Sequence, residues 1–370
     1  AKYLEFKGVS GAFVFRKDSI AQVPTGGREA LASPLMGMVE KTRAVGFFTW
    51  VNSYEKNNPK THVAGTFWTK TLDLQSMTAK QFFEFWELEA DTIEFVAHAC
   101  ALFQDEAFMT MPAIELVERV QLYKNSFTAF DNLKSPFLYP CYGLGELPQA
   151  FARLAAVYGG TYMLGRPVDS VAYDDKGMAV GVTAEGVTAK AKCVIGDPSY
   201  FADKVKTTAR VVRAMAILDH PLPGTGDADS CQIIIPQRQV SRQHDIYVFA
   251  CSATHSVCPE GKYLAFASTT IEGDYDWEAA LDEAGIRDRA ALVASQELGP
   301  ALKMLQPNLD IFYDTFEFQQ PLTDGIEDKV YISKSYDATS HFESTIEDVM
   351  DMYARITGKP LDLNSKPTTA

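Results

Sequence analysis

Apolar residues change their spacing twice along the chain, and the changes mark its organisation. Residues 2–7, 12–16 and 20–23 alternate or cluster apolar side chains around breaks at Val9-Ser10-Gly11 and Lys17-Asp18-Ser19, which predicts a three-stranded antiparallel meander. From Glu29 to about Leu133 the spacing turns helical, glycine is sparse, and proline is confined to breaks such as Pro34, Pro59 and Pro112. This predicts an all-α domain over residues 33–133, inserted into a β-rich domain formed by residues 1–32 and 134–370. Beyond Ser135 strands are expected near 160–164, 167–174, 178–183, 187–196, 209–220, 230–236, 245–252 and 261–271, with turns at Asp174-Asp175-Lys176-Gly177 and Glu185-Gly186. Helix is expected over 275–306 and 344–357, with a last strand over 330–335 between them and a polar tail from Lys359.

Residues 77–103 carry the clearest helical signal. On one wheel Phe82, Phe85, Trp86, Ile93, Val96, Ala97, Cys100 and Phe103 fill a side that Phe83, Leu88, Phe95 and Leu102 widen. Glu84, Glu87, Asp91, Glu94 and His98 make only a minor polar sector. A surface helix needs one apolar stripe, so this segment should be covered on two sides. Glu89 falls inside the apolar arc, where a lone carboxylate is costly, and a break near 88–90 is therefore expected. Thr78 and Gln81 have the spacing of a capping box.

The stretch 137–171 organises the rest. Pro148 suits a first helical turn, where its missing N–H has no partner to lose, so a helix should start near Leu147. Leu147, Phe151, Leu154 and Tyr158 recur at helical spacing, while Gln149 and Arg153 lie off that stripe. Gly159-Gly160 should end the helix, because glycine takes the left-handed cap cheaply.

Charge narrows the partners. Asp and Glu outnumber Lys and Arg by 48 to 34, giving −14 over 370 residues. Nucleic acid, which needs clustered cations, is excluded as a natural partner, and flat adsorption on an anionic membrane face is disfavoured. A partner with a basic surface is favoured, although solubility alone would also account for the charge. Cys100, Cys141, Cys193, Cys231, Cys251 and Cys258 form no C-x-x-C pair, read as free buried thiols and point to a reducing compartment, the cytosol. Gly143, Gly145 and Gln149 imitate a dinucleotide loop, but the third glycine is lacking and no clear strand precedes. His98 beside Cys100, and His341 near Asp337, lack ligand spacing and read as structural. No nucleophile elbow, zinc helix or carboxylate pair supplies a catalytic candidate.

The wording YGLGELPQ-x-FARL-x-A-x-YGGTYML over 142–164 resembles the signature of the Rab GDP dissociation inhibitors, flavin-free cousins of two-domain flavoproteins. YLEFK at 3–7, EALAS at 29–33, LMGM at 35–38, GDPSY at 196–200, DSCQIIIPQ at 229–237, GKYLA at 261–265 and SYDATSHFE at 335–343 extend the resemblance in order along most of the chain. It implies an α+β or α/β two-domain fold in which an FAD/NAD(P)-binding-like, β-rich domain carries the inserted all-α domain. Such folds begin with a strand, a glycine-rich turn and a helix. The opening residues show no such unit, so the chain is expected to be truncated at its N-terminus by at least about 30 residues.

The resemblance also implies function. The protein would bind prenylated Rab GTPases in the GDP form, slow GDP release, extract them from membranes and keep them soluble in the cytosol. By matching position, Tyr142, Glu146, Gln149, Arg153, Thr161 and Met163 would grip the switch regions of Rab. On residue types alone, Glu146 could equally favour the helix N-terminus and Arg153 a solvated face. Met36, Met38, Phe48, Phe82, Phe85, Trp86, Ile93, Val96, Ala97 and Cys100 would line a slot for a geranylgeranyl chain, whereas on spacing alone they are bundle core. A monomer is implied, with transient membrane contact and neither cofactor nor metal. The membrane-docking loop of the family falls on residues 127–136, which depart in sequence, and residues 275–306 are longer than their counterpart. A Rab escort protein and a flavin-dependent amine oxidase-like enzyme are the alternatives; the first carries long β-domain insertions not seen here, and the second would be yellow.

Overall fold

A computed structural model describes residues 4–16, 19–23, 37–65, 69–130, 133–277, 279, 282–339 and 342–363. Its largest element is a seven-stranded sheet in the order Asp310–Pro321, Val205–Leu218, Tyr263–Thr270, Ile246–Ser252, Ser230–Ile235, Gly11–Arg16, Ser19–Gln22. Every residue of Ser230–Ile235 and Ile246–Ser252 is buried, in keeping with their mostly apolar sequences. One face of the sheet packs Ile233, Ile235, Val248 and Ala267 under Val293 and Leu305 from the helices Glu283–Glu297 and Gly299–Leu305 and under Leu298 at the junction between them. On the other face Val14 joins the core of the helical region, and Ile234 and Tyr247 meet Leu102.

The N-terminal meander is corrected. Gly11–Arg16 and Ser19–Gln22 form the expected hairpin, but Gly11–Arg16 also runs parallel to Ser230–Ile235, with Gly11 opposite Cys231. Phe6–Gly8 leaves this sheet and pairs antiparallel with Leu138–Pro140. Residues 187–196 divide into Val187–Lys190, the third strand of an antiparallel meander, and Val194–Gly196, which runs parallel to Val330–Ile332. Residues 160–164 form no ladder and stay exposed. Asp310–Pro321 was not foreseen. Polar residues at Asp310, Asp314, Glu317, Gln319 and Gln320 hide its period, and its register with Val205–Leu218 supplies the strand.

Between 38 and 126 the described residues contain the helices Met38–Ser53, Ala79–Phe85, Ala90–Glu94 and Ala113–Ser126. The expected break is present. Thr78 Oγ1 accepts the Gln81 N–H at 3.2 Å while Gln81 Oε1 accepts the Thr78 N–H at 2.9 Å, and the first helix ends at Trp86. Glu87 is left-handed at φ 51°, and Glu89 sits exposed at the cap of the next helix, so its carboxylate escapes the apolar arc. Ala90–Glu94 continues into the π-helical turn Phe95–Cys100. Phe47 then stacks against Phe82 and Phe83 at ring-centre distances of 5.5 and 6.0 Å, with Trp86 at 6.2 Å.

Candidate functional site

The loop and helix over 140–163 form an exposed platform, held from below by backbone bonds. The Cys141 N–H donates to the Glu5 oxygen and the Tyr142 N–H to the His255 oxygen, each at 2.9 Å. Tyr142 and Gly143 are both left-handed, at φ 64° and 88°. Glu146–Val157 follows, with Glu146 in its first turn, where a carboxylate suits the helix dipole. Gly159, at φ 90°, donates to the Ala156 oxygen at 3.0 Å, and Gly160 to the Ala155 oxygen at 2.9 Å. These two bonds close a Schellman cap. A Cβ on Gly160 would lie 2.9 Å from the Ala155 oxygen, so the second glycine is needed for close approach.

No residue of this helix is buried. At 3.6 residues per turn, Glu146, Gln149 and Arg153 share one side, and Leu147, Phe151, Leu154 and Tyr158 share another. Phe151 is 65% exposed and Val157 74%. Tyr142, Thr161 and Met163 extend the same exposed stretch.

The residues expected to line a lipid slot fall into three groups. Phe82, Val96, Ala97 and Cys100 are buried in one core, and Phe48, Phe85, Trp86 and Ile93 pack against it. Met38 is corrected: as the first residue of its helix it points to solvent, 84% exposed. Met36 lies outside the described residues. Burial pushes the Cys100 thiol far above its ordinary pKa, so it behaves as an apolar side chain. Glu40, fully buried on Met38–Ser53, accepts the Glu89 N–H at 2.9 Å and so ties that helix to the break. A cleft of about 310 Å³ lies between Ala113–Ser126 and the helix Glu343–Thr357, with Cys100, Leu102, Leu122, Tyr123, Phe137 and Ile346 in its walls. The contribution of Ile346 was invisible in the sequence, because it comes from the opposite end of the chain.

His98, expected to be structural, and Glu94 are both buried, because each meets a partner across the junction with the sheet. Gln239 Nε2 donates to Glu94 Oε2 at 2.6 Å, and His98 Nδ1 lies 2.7 Å from Asp245 Oδ2. Asp245 Oδ1 also accepts the Gln237 N–H at 2.9 Å. Glu106 Oε1, 3.9 Å from His98 Nε2, is too far for a hydrogen bond and acts through charge. Burial alone would lower the His98 pKa, but Asp245 and Glu106 outweigh it and lift it to about 10. Gln104 with Asp337, Arg119 with Glu343 and Arg16 with Asp91 add further bonds across the junction.

All six cysteines are free, four of them buried and Cys193 and Cys258 partly so. Among the described residues, no cluster of three His, Cys, Asp or Glu side chains could hold a metal ion, and no helix is long and apolar enough to cross a membrane.

Comparison with known proteins places this geometry. The family model described as GDP dissociation inhibitor matches residues 1–368. A guanosine nucleotide diphosphate dissociation inhibitor of Arabidopsis thaliana is 48% identical over 363 residues, which are 98% of this chain and 76% of the relative. A probable secretory pathway GDP dissociation inhibitor of Schizosaccharomyces pombe is 46% identical over 99% of this chain and 77% of its own length. The crystal structure of a Rab GDI from Plasmodium falciparum superposes with a TM-score of 0.86 at 32% identity, over 98% of this chain and 78% of that one. An oxidoreductase from Methanosarcina mazei shares the fold alone, with a TM-score of 0.52 at 12% identity over 96% of this chain and 82% of that one. The architecture is thus the two-domain, flavoprotein-like one.

Proposed function

The chain belongs to the GDP dissociation inhibitor family, and from that premise we propose that it binds prenylated Rab GTPases in the GDP state and carries them through the cytosol. GDP dissociation inhibition is its function, and binding of GDP-bound Rab follows from the family. The observation that carries the finer reading is the helix Glu146–Val157, whose two faces are both open on a rigidly capped base. Glu146 and Arg153 offer charge-assisted hydrogen bonds, Gln149 a neutral one, and Met163 an adaptable apolar contact, to the switch regions. Holding those regions slows nucleotide release. Selection of the GDP form requires unequal affinity for the two nucleotide states, since a binder indifferent to them shifts nothing.

The domain over 33–133 houses the geranylgeranyl chain. Lipid anchoring gains about 0.8 kcal/mol per buried CH₂, so extraction needs a dry replacement of similar depth. Phe82, Val96, Ala97 and Cys100 provide its floor, and Phe48, Phe85, Trp86 and Ile93 its flank. Because the rings of Phe47, Phe82 and Trp50 lie in contact, Met38–Ser53 has to shift to admit the chain. A second reading places the lipid in the cleft beside Leu122 and Ile346, which is open without such a shift. The protein acts as a monomer with transient membrane contact, and it is a regulator without catalysis or cofactor.

Membranes bearing prenylated Rab-GDP test the reading. Rab is expected in the supernatant after incubation. Equal release of GTP-loaded Rab, or undiminished release by the Glu146→Ala/Arg153→Ala double variant, would overturn the platform assignment. Loss of lipid uptake in Leu122→Trp but not in Phe82→Leu would move the lipid to the second cleft.

A further inference from the structure

We infer that Asp310 and Asp314 guard the outer edge of the seven-stranded sheet against pairing with a second copy of this chain, independently of Rab binding. Asp310–Pro321 is the last strand on its side of the sheet. It pairs with Val205–Leu218, and among the described residues no strand lies along its other edge. The strand that closes the opposite side, Ser19–Gln22, has 4 residues against 12 here. A long edge strand offers a row of N–H and C=O groups to any chain able to lie beside it.

The far end of the strand shows which groups face out. Gln319 donates its N–H to Ser335 Oγ and accepts the Ser335 N–H on its carbonyl, both at 3.0 Å, while the neighbouring Phe318 oxygen turns inward to accept from Thr208 Oγ1 at 3.2 Å. In an antiparallel strand alternate residues direct both backbone groups to the same edge, so Ile311, Tyr313, Thr315 and Glu317 face outward with Gln319. The strand closes two of these positions with its own side chains. The Ile311 N–H donates to Asp310 Oδ1 at 3.1 Å, and the Thr315 N–H to Asp314 Oδ1 at 2.8 Å. With Ser335 on Gln319, every second outward donor therefore carries a partner from within the chain.

The same two carboxylates, both exposed, flank Phe312 on one face, where it is 50% exposed. A second copy is the partner that this edge fits. Two-fold antiparallel pairing centred on Phe312 would set that ring against its own counterpart, an apolar contact both copies gain. It would also set Asp310 opposite the other copy's Asp314, twice, and strip each carboxylate from its N–H. Like charges directly opposite are destabilising, so the carboxylates oppose the pairing that Phe312 favours.

Light scattering over a concentration series tests the guard, with far-UV circular dichroism to confirm folding. Asp310→Val/Asp314→Val is expected to double in mass relative to wild type as concentration rises. Asp310→Ala/Asp314→Ala, which removes the carboxylates and adds little apolar surface, should do so at higher concentration. Adding Thr315→Pro to either pair should restore the wild-type mass, because proline deletes an outward N–H and costs the existing ladder nothing. Wild-type mass in both pairs overturns the guard. Association of the valine pair alone assigns the effect to stickiness of valine and overturns it too, as does association that survives Thr315→Pro.

Discussion

Two helices of this molecule carry apolar residues at the same spacing and meet opposite fates. Met38–Ser53 buries Phe47, Trp50 and Val51 among the rings of Phe82, Phe83 and Trp86. Glu146–Val157 buries nothing, and Phe151, Leu154 and Tyr158 lie open along it. Spacing sets which residues share a face, but what covers that face is decided elsewhere in the chain. The first helix is stabilised by its neighbours. The second depends on its own ends, with Glu146 against the dipole and both bonds of the glycine cap in place. A core helix should respond to mutation through stability, and the platform helix through binding.

The largest effect expected within this contrast is at Phe82. Phe82→Ala removes a fully buried ring and should cost about 3–5 kcal/mol in urea unfolding, the range for such deletions in packed cores. Phe151→Ala, which deletes the same ring from the platform, should change stability by less than about 0.5 kcal/mol, as exposed substitutions usually do. If the two losses were equal, the platform helix would be packed in solution and the contrast would fail.

The junction between the helices and the sheet comes next. Removing one partner of a buried pair costs about 3–5 kcal/mol, so Asp245→Asn should approach Phe82→Ala in unfolding experiments. Its pH dependence gives it away. The His98 value of about 10 lies above the unfolded value of about 6.5, so its contribution is complete below about pH 6.5 and is lost as the pH rises through 10. Wild-type stability measured at pH 6, 8 and 9.5 should fall along this window, and in His98→Gln the slope should flatten. The smallest effect belongs to the cap. Thr78→Ala should cost about 1 kcal/mol and leave Rab binding untouched, since it loosens only the start of Ala79–Phe85.

What the sequence disclosed follows the reach of each signal. The capping box at Thr78, the escape of Glu89 and the stop at Gly159-Gly160 are local, and each is present where expected. The resemblance carried by YGLGELPQ located the platform but not its exposure, which depends on what packs against it. Long-range pairings were misread. Phe6–Gly8 prefers Leu138–Pro140, and Gly11–Arg16 lies beside Ser230–Ile235, partners that no nearby turn announces. The partners that justify burial of Glu94 and His98, Gln239 and Asp245, were not legible because they stand about 145 residues away.

The parallel placement of Gly11–Arg16 next to Ser230–Ile235 has a bearing on how the protein is made. The two segments are separated by 220 residues, and Ser10 already touches Ser230 across that interval. At about 5–20 residues per second, translation needs on the order of tens of seconds to deliver the second segment after the first. Throughout that delay the hairpin around residues 11–22 has an edge with no strand to receive it, a template for unwanted pairing with other nascent chains. Completion of the sheet therefore awaits the middle of the message, and the newborn polypeptide should lean on holding chaperones until residue 235 has cleared the ribosome.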